Sequence, residues 1–143
     1  MHKHERVLEI GAGSGYMAAL LAHKAQHVTT LEIDTGLAAF AAANLRRAGV
    51  MNVTVTRADA SKTLPADGPF DVIVLSGSVA EVPEALLAQL KVGGRLVAIV
   101  GDEPVMRAVL IKRGADHGLA RTVLFDTVAR RLHGFAEPSR FHF

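Results

Sequence analysis

Val7-Leu8-Glu9-Ile10-Gly11-Ala12-Gly13-Ser14-Gly15-Tyr16 begins as a β-rich run, breaks into three alternating glycines, and resumes as an apolar stretch with helical period. Arg6 to Ile10 reads as a strand. Tyr16 to His23 reads as a helix with Tyr16, Met17, Leu20 and Leu21 on one side. Glycines between a strand and a helix let backbone approach a ligand closely, where side chains would clash. A dinucleotide fingerprint of the form Gly-x-Gly-x-x-Gly needs glycine at position 16. Tyr16 stands there instead, Gly15 comes one residue early, and Glu9 precedes Gly11 by two positions.

Working outward, strands and helices alternate. His27 to Ile33 is a second strand. Leu37, Phe40, Ala41, Asn44, Leu45 and Ala48 follow at the spacing of an amphipathic helix, with Asp34 or Thr35 to cap its start and Gly49 past its end. Asn52 to Thr56 is strand three and Phe70 to Leu75 strand four, separated by a loop-like stretch from Ser61 to Pro69. Pro83 suits the first turn of a helix running through Leu90, and Gly93-Gly94 turns the chain into strand five, Arg95 to Val100. This alternation predicts a mostly parallel α/β sheet with right-handed crossovers, its central strands apolar on both faces. Val105 to Lys112 and Leu119 to Ala129 are strand-like, with a turn cluster from Arg113 to Gly118 between them, which predicts a C-terminal antiparallel hairpin. With no linker, repeat or low-complexity segment, residues 1–143 read as a single domain.

Composition limits the functions open to the chain. Half of its 143 residues are apolar and 21% are charged, a globular balance. The formal charge is +2, and no run of Lys or Arg forms the stripe of a nucleic-acid binder. Arg46-Arg47 and Arg130-Arg131 read as solvated edges. No apolar stretch is long enough to span a bilayer, and no cysteine is present for disulfides or thiolate zinc sites. The seven histidines lack ligand spacing, so no metal is expected, and the expected compartment is the cytoplasm.

The candidate site follows the strand ends. Glu32 closes strand two about 20 residues past the first glycine, where a carboxylate accepts both ribose hydroxyls of an adenosine ligand. Asp59, just after strand three, is placed to accept the adenine amino group, and Ser76 ends strand four beside the same crevice. Ile33 and Ala60 adjoin these acids. With Glu9, Gly11, Ala12, Gly13, Ser14 and Gly15 they make up the expected cofactor-binding set.

The Glu-x-Gly-x-Gly-x-Gly spacing resembles that of methyltransferases using S-adenosyl-L-methionine, a cofactor with an ammonium group and no pyrophosphate. More specifically, Val7 to Tyr16, with its Ser-Gly-Tyr ending, resembles the first motif of protein-L-isoaspartate O-methyltransferases. Phe70-Asp71-Val72-Ile73-Val74 and the run Pro83 to Leu96 (PEALLAQLKVGGRL) resemble that family's later segments. The resemblance covers most of residues 5–112. It implies a Rossmann-like class I methyltransferase sheet in the order 3-2-1-4-5-7-6 and S-adenosyl-L-homocysteine as product. The implied acceptor is the free carboxylate of an isoaspartyl residue in a damaged protein or peptide, which is ionised at neutral pH and needs no general base. The family carries a helical segment before its first motif, which here begins at residue 5, and a Thr-Ala-Ala type turn where Ser76-Gly77-Ser78-Val79 stands. Apolar surface left uncovered by that segment implies self-association. The alternative reading is a truncated or divergent cofactor-binding module with another acceptor or none; a nicotinamide dehydrogenase is disfavoured by Tyr16. No catalytic residue is assigned.

Overall fold

Five β-branched and apolar runs form parallel strands in the structure, a computed structural model that describes residues 4–13, 15–65, 68–102, 105–127, 131, 132 and 135. They are β1 (Arg6–Ile10), β2 (His27–Glu32), β3 (Val53–Arg57), β4 (Phe70–Val79) and β5 (Leu90–Asp102). Two antiparallel strands, β6 (Val105–Arg113) and β7 (Leu119–Thr127), extend the sheet into the order β3-β2-β1-β4-β5-β6-β7. The α/β class, the parallel core and the terminal antiparallel hairpin are as expected. The expected order 7-6 for the last two strands is reversed, and chain length explains it. Asp102 pairs with Val105, so only residues 103 and 104 separate β5 from β6. Such a short connection makes a hairpin and cannot carry the chain past an intervening strand, so β6 lies beside β5 and β7 takes the outer edge.

Successive residues of each strand point to opposite faces, which gives the sheet two cores. Val7, Val28 and Val72 pack with Ala18 of α1 (Tyr16–Ala22) and Leu45 of α2 (Thr35–Arg47). Leu8, Ile10, Leu31, Ile73 and Leu96 point the other way and pack with Leu86 of α3 (Glu84–Leu87). Asp34 caps α2 by accepting from Leu37 N at 2.9 Å, and Gly49 ends it at φ 72°.

Two helices differ from expectation. The face of α1 turned to the sheet is built on Ala18, while Tyr16, Met17 and Leu20 are exposed. Small residues are needed there because α1 starts at Gly15, which is pressed against α2. Helix α3 is only four residues long, and Leu90 already belongs to β5, where it pairs with Phe70 and is buried. Burying Leu90 beside Phe70 competes with continuing the helix and prevails. Arg113 fastens this corner by donating to the carbonyls of Leu87, Leu90 and His117 at 2.8–3.0 Å.

At the opposite end of the strands from the glycine turn, Arg95 donates from both terminal nitrogens to the two oxygens of Glu5, at 3.1 and 3.0 Å, and Glu5 is 6% exposed. Glu5→Gln leaves the guanidinium without its counter-charge and is expected to cost about 2 kcal/mol. The double variant Glu5→Gln/Arg95→Met should lose less than the sum of the two single changes. Urea denaturation of the four proteins measures both quantities.

Candidate functional site

A cleft of about 730 Å³, its open mouth included, lies across the carboxyl ends of β1, β2 and β4. Ligands bind at this position in open parallel sheets. Ile10, Gly11 and Gly13 line it from the first turn, Leu31, Glu32 and Ile33 from the end of β2, and Leu37 from α2. Ala58 and Ala60 follow β3, Ser76 and Gly77 come from β4, and Arg131, Leu132 and Phe135 close the remaining side.

The glycine turn holds its shape through its own backbone. Gly11 N donates to Leu31 O at 2.8 Å and Gly15 N to Ala12 O at 2.9 Å. Gly13, at φ 53°, has nothing within 4 Å of the place a Cβ would occupy, so a ligand can lie against bare backbone there. Gly15, at φ 89°, serves packing, because a Cβ would stand 3.1 Å from Ala41 O and 3.2 Å from Leu45 Cγ. It does not line the cleft, and neither does the buried Ala12. Ser14 lies outside the described residues.

The acids divide by role. Glu32 is 7% exposed; its Oε1 accepts from Gly13 N at 3.2 Å and its Oε2 from Asp34 N at 3.1 Å. Each carboxylate oxygen has a second lone pair for a ligand hydroxyl. Glu9 lies wholly beneath the cleft, 0% exposed, and accepts from Thr30 Oγ1 at 2.8 Å and Ser76 Oγ at 2.5 Å. Burial pushes its carboxyl above the ordinary range; the two hydroxyl donors oppose this, and the nearby Glu32 charge adds to it. Asp59 accepts from Ser61 N and Ser61 Oγ, and the Ser61 hydroxyl holds its carboxyl below the ordinary range. Its side chain does not line the cleft, although those of Ala58 and Ala60 on either side do.

A bulge in β4 aims Ser76. Between the pairs Val74↔Val97 and Ser78↔Ile99, three residues of β4 stand against one of β5, lifting Ser76 and Gly77 out of register. Sequence reasoning missed the wall opposite Glu32. Arg131, expected as a solvated edge, is half-buried, and its Nη1 donates to Gly101 O at 2.8 Å. Arg131 bridges Ser78 in parallel, and Leu132 N donates to Ser78 O at 2.7 Å. Leu132 Cδ2 lies 2.9 Å from the place a Gly11 Cβ would occupy. Arg130 lies outside the described residues, and so does Ala129, where the last strand was expected to end.

Glu9 makes the stability of the molecule pH-dependent, with a definite sign. Its folded-state pKa is raised above the ordinary 4.5, so over the window above 4.5 the folded protein holds a proton that the unfolded chain releases. Stability therefore falls as pH rises through that window. Glu9→Gln removes this contribution, and the stability of the variant relative to wild type should improve from pH 4.5 up to the folded-state pKa and level off above it. Denaturant midpoints at several pH values test it; parallel curves would remove Glu9 as the source.

Proteins of known family share this sequence and fold. The family described as protein-L-isoaspartate(D-aspartate) O-methyltransferase matches residues 1–128. A protein-L-isoaspartate O-methyltransferase of Rhodopseudomonas palustris is 46% identical over 123 residues, 85% of this chain and 56% of that protein. One from Staphylothermus marinus is 45% identical over 120 residues, 78% of this chain and 53% of that protein. The chain thus spans about half the length of the curated relatives it matches. A solved protein-L-isoaspartate O-methyltransferase superposes with a TM-score of 0.83 at 32% identity, over 93% of this chain and 43% of that one. A Plasmodium falciparum chain solved in complex with S-adenosyl-L-homocysteine has the same fold, with a TM-score of 0.73 at 23% identity, over 90% of this chain and 65% of that one. With its glycine turn, the acid ending β2 and a family match over nearly its whole length, this chain belongs to the protein-L-isoaspartate(D-aspartate) O-methyltransferase family.

Proposed function

We propose that the cleft binds S-adenosyl-L-methionine and that the protein methylates a free carboxylate, that of an isoaspartyl residue in a protein or peptide. The observation that carries this reading is Glu32, a nearly buried carboxylate ending β2 and facing a glycine turn with open space at Gly13. Its two oxygens suit a ribose diol. Ile33, Leu37, Ala58 and Ala60 supply an apolar slot on the β3 side for a purine, a role expected of Asp59 in part. Ser76 donates its proton to Glu9, which leaves its lone pairs as acceptors for the ammonium group of the cofactor.

Bound S-adenosyl-L-methionine supplies an activated methyl group. The work left to the chain is alignment, which is worth several kcal/mol when reacting atoms are held in line. Leu132 and Phe135 add apolar walls to the cleft. An ionised acceptor carboxylate needs no proton removed, in keeping with a cleft that contains no acid–base pair among the described residues.

We also propose self-association. Self-association is expected through apolar surface; besides the face before the first motif, Leu119, Val123, Leu124 and Phe125 of β7 are about half exposed, and among the described residues no strand pairs along the outer edge of β7. Sedimentation at rising concentration should reveal a dimer; a strictly monomeric species would rule this out.

Calorimetric titration tests the cofactor reading. S-adenosyl-L-methionine and S-adenosyl-L-homocysteine should bind with micromolar affinity and NAD should not bind. Glu32→Ala should weaken both by tenfold or more, from loss of charge-assisted hydrogen bonds. An unchanged affinity would remove Glu32 from the site.

A further inference from the structure

We propose that a second groove beside the cleft receives the polypeptide flanking the methyl acceptor and favours a lysine or arginine in it. The assignment rests on the methylation of a protein or peptide carboxylate proposed above. The groove encloses about 1050 Å³, its open mouth included. Ala60 and Phe135 line both the groove and the cleft, so the two spaces share these walls. The chain leaving β4 also serves both: Ser76 and Gly77 line the cleft, and Glu81 and Val82 line the groove. From Gly77 to Glu81 even a fully extended chain spans at most roughly 14 Å. A polypeptide with its acceptor residue at the cleft therefore reaches the groove within about five residues.

Leu86 is buried in the groove and Val82 and Leu87 are half-buried, while Glu81 and Glu84 stand exposed along it. Neither carboxylate has a hydrogen-bond or ion-pair partner among the described residues. Lys62, next to the lining residue Ser61, turns to Asp59 at 4.0 Å instead. In a chain of formal charge +2, the groove is thus a local excess of negative charge beside an apolar surface. Lysine and arginine match that combination, since their stems lie along apolar residues while the charged head reaches a carboxylate. An acidic residue in the same place meets like charge over a surface that cannot solvate it. Exposed ion pairs are individually weak, so the groove grades acceptors and does not by itself decide binding.

The experiment measures binding of fluorescent isoaspartyl peptides to protein saturated with S-adenosyl-L-homocysteine. The peptides differ only in carrying Lys, Gln or Glu at one position, within about five residues on either side of the acceptor. At one or more positions Lys should bind about fivefold more tightly than Glu, with Gln between them, and added salt should narrow the difference. Glu81→Gln/Glu84→Gln should abolish this ranking and Glu81→Lys/Glu84→Lys should reverse it. Neither change should move the affinity for S-adenosyl-L-homocysteine by more than about twofold, because neither residue lines the cleft. Wild-type protein that binds all the peptides alike, or a ranking that survives in both variants, overturns the assignment and leaves the proposed function standing. Peptide binding that weakens as protein concentration rises places a second copy in the groove and also overturns it. Wild-type protein that binds S-adenosyl-L-homocysteine but no peptide overturns the assignment together with the proposed acceptor, and leaves the cofactor reading intact. Wild-type protein that binds neither overturns all three.

Discussion

A carboxylate that solvent does not reach joins the three strands beneath the cleft. Glu9 extends from β1 to accept from Thr30 on β2 and Ser76 on β4. Burying a carboxylate is costly, and two hydroxyl donors offset the cost only while all three strands keep their register. The contact thus penalises slippage of the sheet where the ligand must lie. It also sets the direction of the Ser76 hydroxyl, so a group that never lines the cleft decides what one wall of it offers.

The three glycines of the first turn illustrate why motif residues should not be read as a set. Gly15 brings α1 against α2, Gly13 exposes backbone to the cleft, and Gly11 makes room for Leu132. Each excludes a side chain for a different reason. A substitution at Gly15 disturbs packing between helices, whereas one at Gly11 displaces the C-terminal wall.

Local chemistry was legible in the sequence wherever neighbouring residues decided it. The strand–glycine–helix order, the Asp34 cap, Gly49 and the acid ending β2 all depend on short spacings. The polar face of Glu32 could be placed because the end of a parallel strand has a known relation to the crevice. What failed depended on distant partners. The exposed face of α1 follows from Gly15 meeting Ala41, and the short α3 from Leu90 meeting Phe70. Arg131 carries no local signal at all: its place comes from pairing with Ser78 across the sheet. The order 7-6 of the last two strands rests on the family resemblance alone, and it gives way because β5 runs on to Asp102, two residues short of where β6 begins.

The same gap bears on how the chain reaches this structure. β5, β6 and β7 form a meander closed by residues 103–104 and 114–118, so each pairing needs only a short loop. β1 must find β4 across two helices and two other strands before the cleft has a floor. Loop closure is fastest for near neighbours, and parallel pairing across long separations is slow. The C-terminal meander is therefore held by short-range pairings with little loop entropy to overcome, whereas the floor of the cleft depends on a long-range one. What looks like an appendage to the sheet is its most locally connected part, and the ligand-binding end is the part most dependent on distant contacts.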